Sequence, residues 1–177
     1  MNHKKQSRFA YGLMVFFYRI HDAFSKPDEV LNGIGLKKGF TVADIGCGPG
    51  RYVRQAAAMV GDSGRVYAVD IHETAVKIVK RIVATEKLDN VTPVLNSSGL
   101  ESIPSGSVDI AYALDMFHAV DDAVEFLREV RRILKATGRF ILEDGHQPRE
   151  KTKNKLASSG EWRIESENER YVILNLK

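Results

Sequence analysis

Apolar positions along this chain switch between helical spacing and short unbroken runs. Phe9, Leu13, Phe16, Phe17, Ile20 and Phe24 recur every three to four residues, with Arg8, Arg19 and His21 off that face, which predicts an amphipathic helix. A second helix is expected to start at Ser25, Lys26, Pro27 and Asp28. Ser25 is placed to cap it, Val30, Leu31 and Ile34 form its buried side, and Lys37, Lys38 and Gly39 close it. Residues 41–45 read as a buried strand. Tyr52, Val53, Ala56, Ala57 and Val60 then mark the inner face of a helix opened by Arg51, and residues 61–64 a turn. Strands follow at 65–70 and 91–95, separated by a helix facing inward through Ala75, Val76, Val79, Ile82 and Val83. Asp121 and Asp122 open a helix that buries Phe126, Leu127, Val130, Ile133 and Leu134 and leaves Glu125, Arg128, Arg131 and Arg132 in solvent. The chain closes with a strand at 139–143, a lysine-rich helix within 147–159, and a hairpin made of 162–164 and 171–174.

The stretch Asp44-Ile45-Gly46-Cys47-Gly48-Pro49-Gly50 joins the first strand to the helix after it. Its glycines allow a tight turn and close approach to a ligand. The dinucleotide fingerprint G-x-G-x-x-G fails, because Arg51 stands where its last glycine is needed. A carboxylate at Asp44 repels a pyrophosphate and favours an ammonium, so the expected ligand is a nucleoside with a cationic arm. Asp70, an acid closing the next strand, stands where a nucleotide-binding α/β unit places the group that accepts ribose hydroxyls; a helix cap before His72 and Glu73 is its other reading.

Composition narrows the class. The 177 residues suffice for one domain with a substantial core, and a net charge of +3 gives no reason to favour nucleic acid. A single cysteine, Cys47, rules out an internal disulfide and fits a reducing cytoplasm; Cys47 reads as a small filler in the glycine loop. The first apolar stretch, broken by Arg19 and followed by no small-residue cleavage site, is expected to be neither a membrane span nor a signal peptide. It could pack on the domain, form a lid over an acceptor pocket, or rest on a membrane surface.

These residues resemble the D-x-G-x-G-x-G motif of class I S-adenosylmethionine-dependent methyltransferases, and matching signals recur from about residue 42 to 138. The resemblance implies a Rossmann-like α/β fold: a three-layer α/β/α sandwich around a doubly wound, mostly parallel seven-stranded sheet with a C-terminal antiparallel hairpin. It divides the chain into a helical extension (1–38) and a cofactor-binding core (39–177), places the loop before the fourth strand at 103–109, that strand at 110–114, and a helix-ending turn at 135–138. The implied cofactor is S-adenosylmethionine, held by Asp44, Gly46, Cys47, Gly48, Pro49, Gly50, Asp70, Ile71, Asn96, Ser97, Ser98, Asp115 and Met116. At Asn96, Ser97 and Ser98 the family usually has an acid facing adenine; here an amide and two hydroxyls must accept that hydrogen bond.

Methyl transfer from a sulfonium needs alignment and exclusion of water more than covalent help. Candidate bases are His118 and His146, with Asp115 and Asp144 as charge partners and Tyr11, Tyr18 and His21 available from the first helix. Asp115 and Asp144 also resemble the acidic ligands of magnesium-dependent catechol-type enzymes, but Gly145 stands where a third ligand is expected, so no metal is assigned. The prolines of amino-directed nucleic-acid and glutamine methyltransferases are missing after Asp115. Cysteine chemistry of the pyrimidine or arsenite type has no second cysteine to use. The expected acceptor is small and partly apolar. The alternatives are a domain that binds the cofactor without transferring methyl groups, or a nucleotide-binding oxidoreductase.

Overall fold

The computed structural model describes residues 27–96 and 100–177. The predicted amphipathic helix, with Tyr11, Tyr18 and His21, and the proposed cap Ser25 lie outside the described residues, as do Ser97 and Ser98.

The elements run α1 (Pro27–Ile34), β1 (Thr41–Ile45), α2 (Val53–Val60), β2 (Arg65–Asp70), α3 (Glu73–Glu86), β3 (Val91–Leu95), β4 (Val108–Ala113), a 3₁₀ turn (Phe117–Ala119), α4 (Ala123–Ile133), β5 (Leu134–Glu143), α5 (Arg149–Ser159), β6 (Trp162–Glu167) and β7 (Tyr171–Leu176). They build a seven-stranded sheet in the order β3-β2-β1-β4-β5-β7-β6. β1 to β5 pair in parallel, and β7 is antiparallel to both β5 and β6. The strand order reverses at β1, between β2 and β4, which opens a crevice at the carboxyl edge of the sheet.

Strict alternation of side chains sends β1 and β4 into two cores. Ala43, Ile45, Ala111 and Ala113 join Leu127, Val130 and Ile133 of α4 and Leu156 of α5. Val42, Ile110 and Tyr112 face the other way, toward Leu31 and Ile34 of α1 and Val53 and Ala56 of α2. Strands covered on both faces need nearly continuous apolar sequence, as found here. Each fully buried Leu or Ile in these layers contributes about 1.5–3 kcal/mol of transfer free energy. Among the described residues no helix is long and apolar enough to cross a membrane.

Five local expectations are corrected. Helix α1 stops at Ile34, where Gly35 takes a φ of +81° and donates back to Leu31 O, so the lysines lie beyond its end. Arg51 precedes α2, which begins at Val53. Residues 135–138 are not a separate turn but an excursion inside β5: Leu134 pairs with Val108, and pairing resumes at Arg139 opposite Ile110. Arg132 is not a solvated side chain. Its guanidinium donates to Leu100 O and Ile103 O and pairs with Glu129, tying the segment before β4 to α4. Phe126, expected in the core, is only partly buried, packed between Phe117 and Phe140.

Candidate active site

β1 runs directly into Gly46, Gly48 and Gly50, which take φ values of +80°, +54° and +89°. These are left-handed conformations that residues with a Cβ rarely adopt. The loop is pinned on two sides. A Cβ at Gly46 would stand 2.8 Å from Met116 Cγ, and one at Gly50 would stand 3.2 Å from Ile82 of α3. Above Gly48 the space is open, since a Cβ there would meet nothing within 4 Å. Backbone bonds from Gly46 and Cys47 N–H to Val69 O (2.8 and 2.9 Å) fix the turn against β2. Burial pushes the Cys47 thiol well above its ordinary range, which keeps it an inert filler.

Asp70 ends β2 and ties the loop to the next helix. Its Oδ2 accepts from Gly48 N–H (2.9 Å) and its Oδ1 from His72 N–H (2.7 Å). Asp70 is not itself the helix cap, since His72 takes that position without a side-chain cap bond; its carboxylate braces the glycine loop against His72, and its oxygens retain lone pairs for further donors. Burial raises its pKa, and the two backbone donors oppose that rise. Beside it Ile71 (39% exposed) and, at the end of β3, Leu95 (43%) present apolar side chains to solvent, a surface suited to a flat heteroaromatic ring. Asn96 sits next to them, its N–H donating to Asp70 O at 2.8 Å.

Asp44 is the unusual group. It is 2% exposed, and its Oδ2 has no hydrogen-bond partner among the described residues. It pairs in register with Tyr112 of β4, a residue the sequence reading did not single out. Burial first, and then the nearby Asp70 charge, push the Asp44 carboxyl up to about 8, while the Tyr112 hydroxyl works weakly in the other direction. The Tyr112 oxygen itself lacks a hydrogen bond of ordinary geometry. Two buried carboxyl groups with open acceptor capacity, beside a glycine cradle, fit a ligand that carries hydroxyls and a cation, whose charge would draw Asp44 into its ionised form. They do not fit a pyrophosphate.

A second cluster assembles beyond β4 and β5. Asp115 adopts a left-handed φ of +57°, a strained setting for a residue with a side chain. Its Oδ1 lies 3.6 Å from His146 Nε2 and 4.0 Å from His118 Nδ1. The two imidazoles meet edge to face with centroids 4.9 Å apart. Gly145, at φ +64°, lets this happen: a Cβ there would overlap His118 Nδ1. Partial burial, reinforced by the neighbouring His146, lowers the His118 pKa against the pull of Asp115, so the ring is neutral at pH 7. Asp144 does not serve as a charge partner to the histidines in this arrangement; its Oδ2 accepts from Arg149 Nε at 2.7 Å. Among the described residues no group of three His, Cys, Asp or Glu side chains is arranged to hold a metal ion.

Comparison with known proteins agrees with this geometry. The family described as Methyltransferase domain matches residues 43–142. A demethylmenaquinone methyltransferase of Listeria monocytogenes is 27% identical over 76% of this chain and 56% of its own length. A 37.1 kDa protein of transposon TN4556 in Streptomyces fradiae is 31% identical over 68% of the chain and 34% of its own length. The chain thus spans about half or less of these curated relatives. Among solved structures, a SAM-dependent methyltransferase of Aquifex aeolicus superposes with a TM-score of 0.73 at 27% identity, covering 84% of this chain and 89% of that one. With the glycine loop, the two strand-end acids and the 3-2-1-4-5-7-6 sheet all in place, the chain belongs to the methyltransferase-domain family and has the class I fold of the S-adenosylmethionine-dependent methyltransferases.

Proposed function

We propose that this chain binds S-adenosylmethionine over the ends of β1 and β2 and passes its methyl group to a small acceptor seated over the ends of β4 and β5. The observation that carries the reading is Asp44, a buried carboxyl with an unpartnered oxygen beside left-handed glycines. It would hold the ammonium of the cofactor's amino-acid arm, with the backbone of Gly46, Cys47, Gly48, Pro49 and Gly50 packed along that arm. Asp70 would take the ribose hydroxyls, and Ile71, Leu95 and Asn96 would flank the adenine, with Ser97 and Ser98 as further acceptors. Bound S-adenosylmethionine supplies a methyl group already activated on a sulfonium. The protein's own part is then to orient the acceptor, exclude water and receive a proton. His118, neutral at pH 7 and neighboured by Asp115 and His146, is the group suited to receive it. Met116, packed on Gly46, would border the transferring methyl.

The named activity of the Listeria relative supports a quinol-like, partly apolar acceptor. The amphipathic stretch before Ser25 is available as a lid or as a foot on a membrane surface from which such an acceptor could be drawn. We assign the protein to the cytoplasm on the same reading.

Calorimetric titration with S-adenosylmethionine and with NAD, followed by transfer of labelled methyl groups to a panel of quinols, lipids and small amines, tests the proposal. Heat with the first ligand and label in one acceptor are the expected results. Heat with NAD alone would overturn the cofactor assignment. Binding with no label in any acceptor class would leave a cofactor-binding domain in place of an enzyme.

A further inference from the structure

A polar groove of about 290 Å³ lies away from the cofactor crevice, lined by residues 136–138, Arg139, Arg163, Glu165, Asn175 and Leu176. Its floor is set by strand register. Arg139 of β5 and Arg163 of β6 both pair with Asn175 of the intervening β7. Directly paired residues point to the same side of a sheet, so the three side chains stand in one row, with the arginine backbones two strand spacings, about 10 Å, apart. Arg139 precedes Glu143 by four residues, which places the row about 13 Å down β5 from the carboxyl edge. The excursion at 136–138 walls one side. The turn after α1 closes another, where the Arg139 guanidinium comes within 3.5 Å of the space a Cβ at Gly35 would fill.

What marks this row is two arginines without carboxylate partners among the described residues placed in one groove, whereas Arg81 of α3, also unpaired among them, stands alone on its helix. Arg54, Arg128, Arg131, Arg132, Arg149 and Arg170 each have a carboxylate partner. The guanidinium groups of Arg139 and Arg163 have neither a hydrogen bond nor an ion pair among the described residues, and the Glu165 carboxylate in the same groove bonds to neither. Lys135, on the excursion itself, is turned away to Asp109 at 2.6 Å. The groove therefore gathers two guanidinium forks, the Asn175 amide and the Thr137 hydroxyl, and offers almost nothing to an apolar partner. Two flanking forks match the oxygens of a phosphate group, which arginine binds through paired N–H donors.

We propose that this groove is a second binding site, for a phosphate-class oxyanion, separate from the methyl-transfer crevice and independent of that assignment. Arg139 and Arg163 grip the anion from either side, Asn175 donates between them, and Glu165 weakens the grip by like-charge repulsion. The source is either free phosphate or a small phosphate monoester.

The test is a two-dimensional NMR titration of the isotope-labelled full chain with inorganic phosphate and, separately, with glycerol phosphate, against sodium chloride at matched ionic strength. Saturable shifts confined to 136–139, 163–165 and 175–176 are expected. Tighter binding of the monoester identifies a phosphorylated small molecule, and equal binding identifies free phosphate. Arg163→Gln, an exposed change that leaves the core untouched, should weaken binding about tenfold. Glu165→Gln should strengthen it. Shifts reproduced by chloride, no saturable shift with either phosphate, or an unchanged affinity in Arg163→Gln would overturn the proposal.

Discussion

Replacing Asp44 with Asn isolates the electrostatic cost of the proposed cofactor cradle. The carboxyl is fully buried, with Asp70 as its charged neighbour and Tyr112, Tyr52 and Cys47 as the other titratable groups around it, and its pKa rises from 3.8 to about 8. Because the folded value exceeds the unfolded one, its contribution to stability is fully present below pH 4. That contribution is lost as pH climbs through the folded value near 8. One such group costs about 1.4 kcal/mol per pH unit across that window, on the order of 5 kcal/mol in total. Asparagine keeps the shape and carries no charge at any pH. The stability advantage of Asp44→Asn over the parent should therefore grow by about 2 kcal/mol from pH 6 to pH 8 and level off above that. At the thermal midpoint this corresponds to an increase in the advantage of roughly 4–8 °C for a chain of this size. Urea unfolding of both proteins at intervals from pH 5 to pH 9, without ligand, measures it. A difference between the two that stays flat across this range would refute the buried, proton-binding Asp44.

Three further outcomes follow from the geometry. Asp70→Ala removes the acceptor for Gly48 and His72 N–H as well as the proposed ribose contact, and should weaken S-adenosylmethionine binding by about 1–3 kcal/mol in a calorimetric titration. Gly145→Ala places a Cβ on His118 and strains a φ of +64°, so stability should fall by about 1–3 kcal/mol in urea; turnover should drop while cofactor affinity, measured separately, holds. Arg132→Ala frees Leu100 O and Ile103 O and leaves Glu129 without its cation, and should cost about 1–3 kcal/mol by the same unfolding assay, with no change in cofactor affinity.

Much of the scaffold could be read from the chain because its signals are local. β2 and β3 fall on their predicted bounds, since apolar runs there are cut off sharply by residues 61–64, Asp70 and Asp89-Asn90. The glycine loop was legible for the same reason: left-handed conformations call for glycine at Gly46, Gly48 and Gly50 themselves. What escaped depends on partners distant in sequence. Arg132 looks solvated on a helical wheel and is anchored by carbonyls about thirty residues upstream. Tyr112 looks like any aromatic in a strand until register sets it opposite Asp44. The excursion at 135–138 matches a turn motif, yet β5 continues through it because Leu134 still pairs with Val108. The sequence names His118, His146 and Asp115 one by one but not their meeting, and it adds Asp144, which pairs with Arg149 instead. From sequence Gly145 stands out only as a missing metal ligand, whereas its lack of a side chain is what lets His118 approach.

The most direct measurement compares two nucleosides, one with and one without the amino-acid arm and sulfonium charge, titrated into the parent protein and Asp44→Asn. S-adenosylmethionine should bind the parent and lose about tenfold or more in the variant, a charge-assisted contact of at least ~1.4 kcal/mol. Methylthioadenosine, which lacks the ammonium, should bind both proteins alike. Equal loss for the two ligands, or no heat with S-adenosylmethionine up to roughly millimolar concentration, would contradict the assignment of Asp44 as the cation's partner.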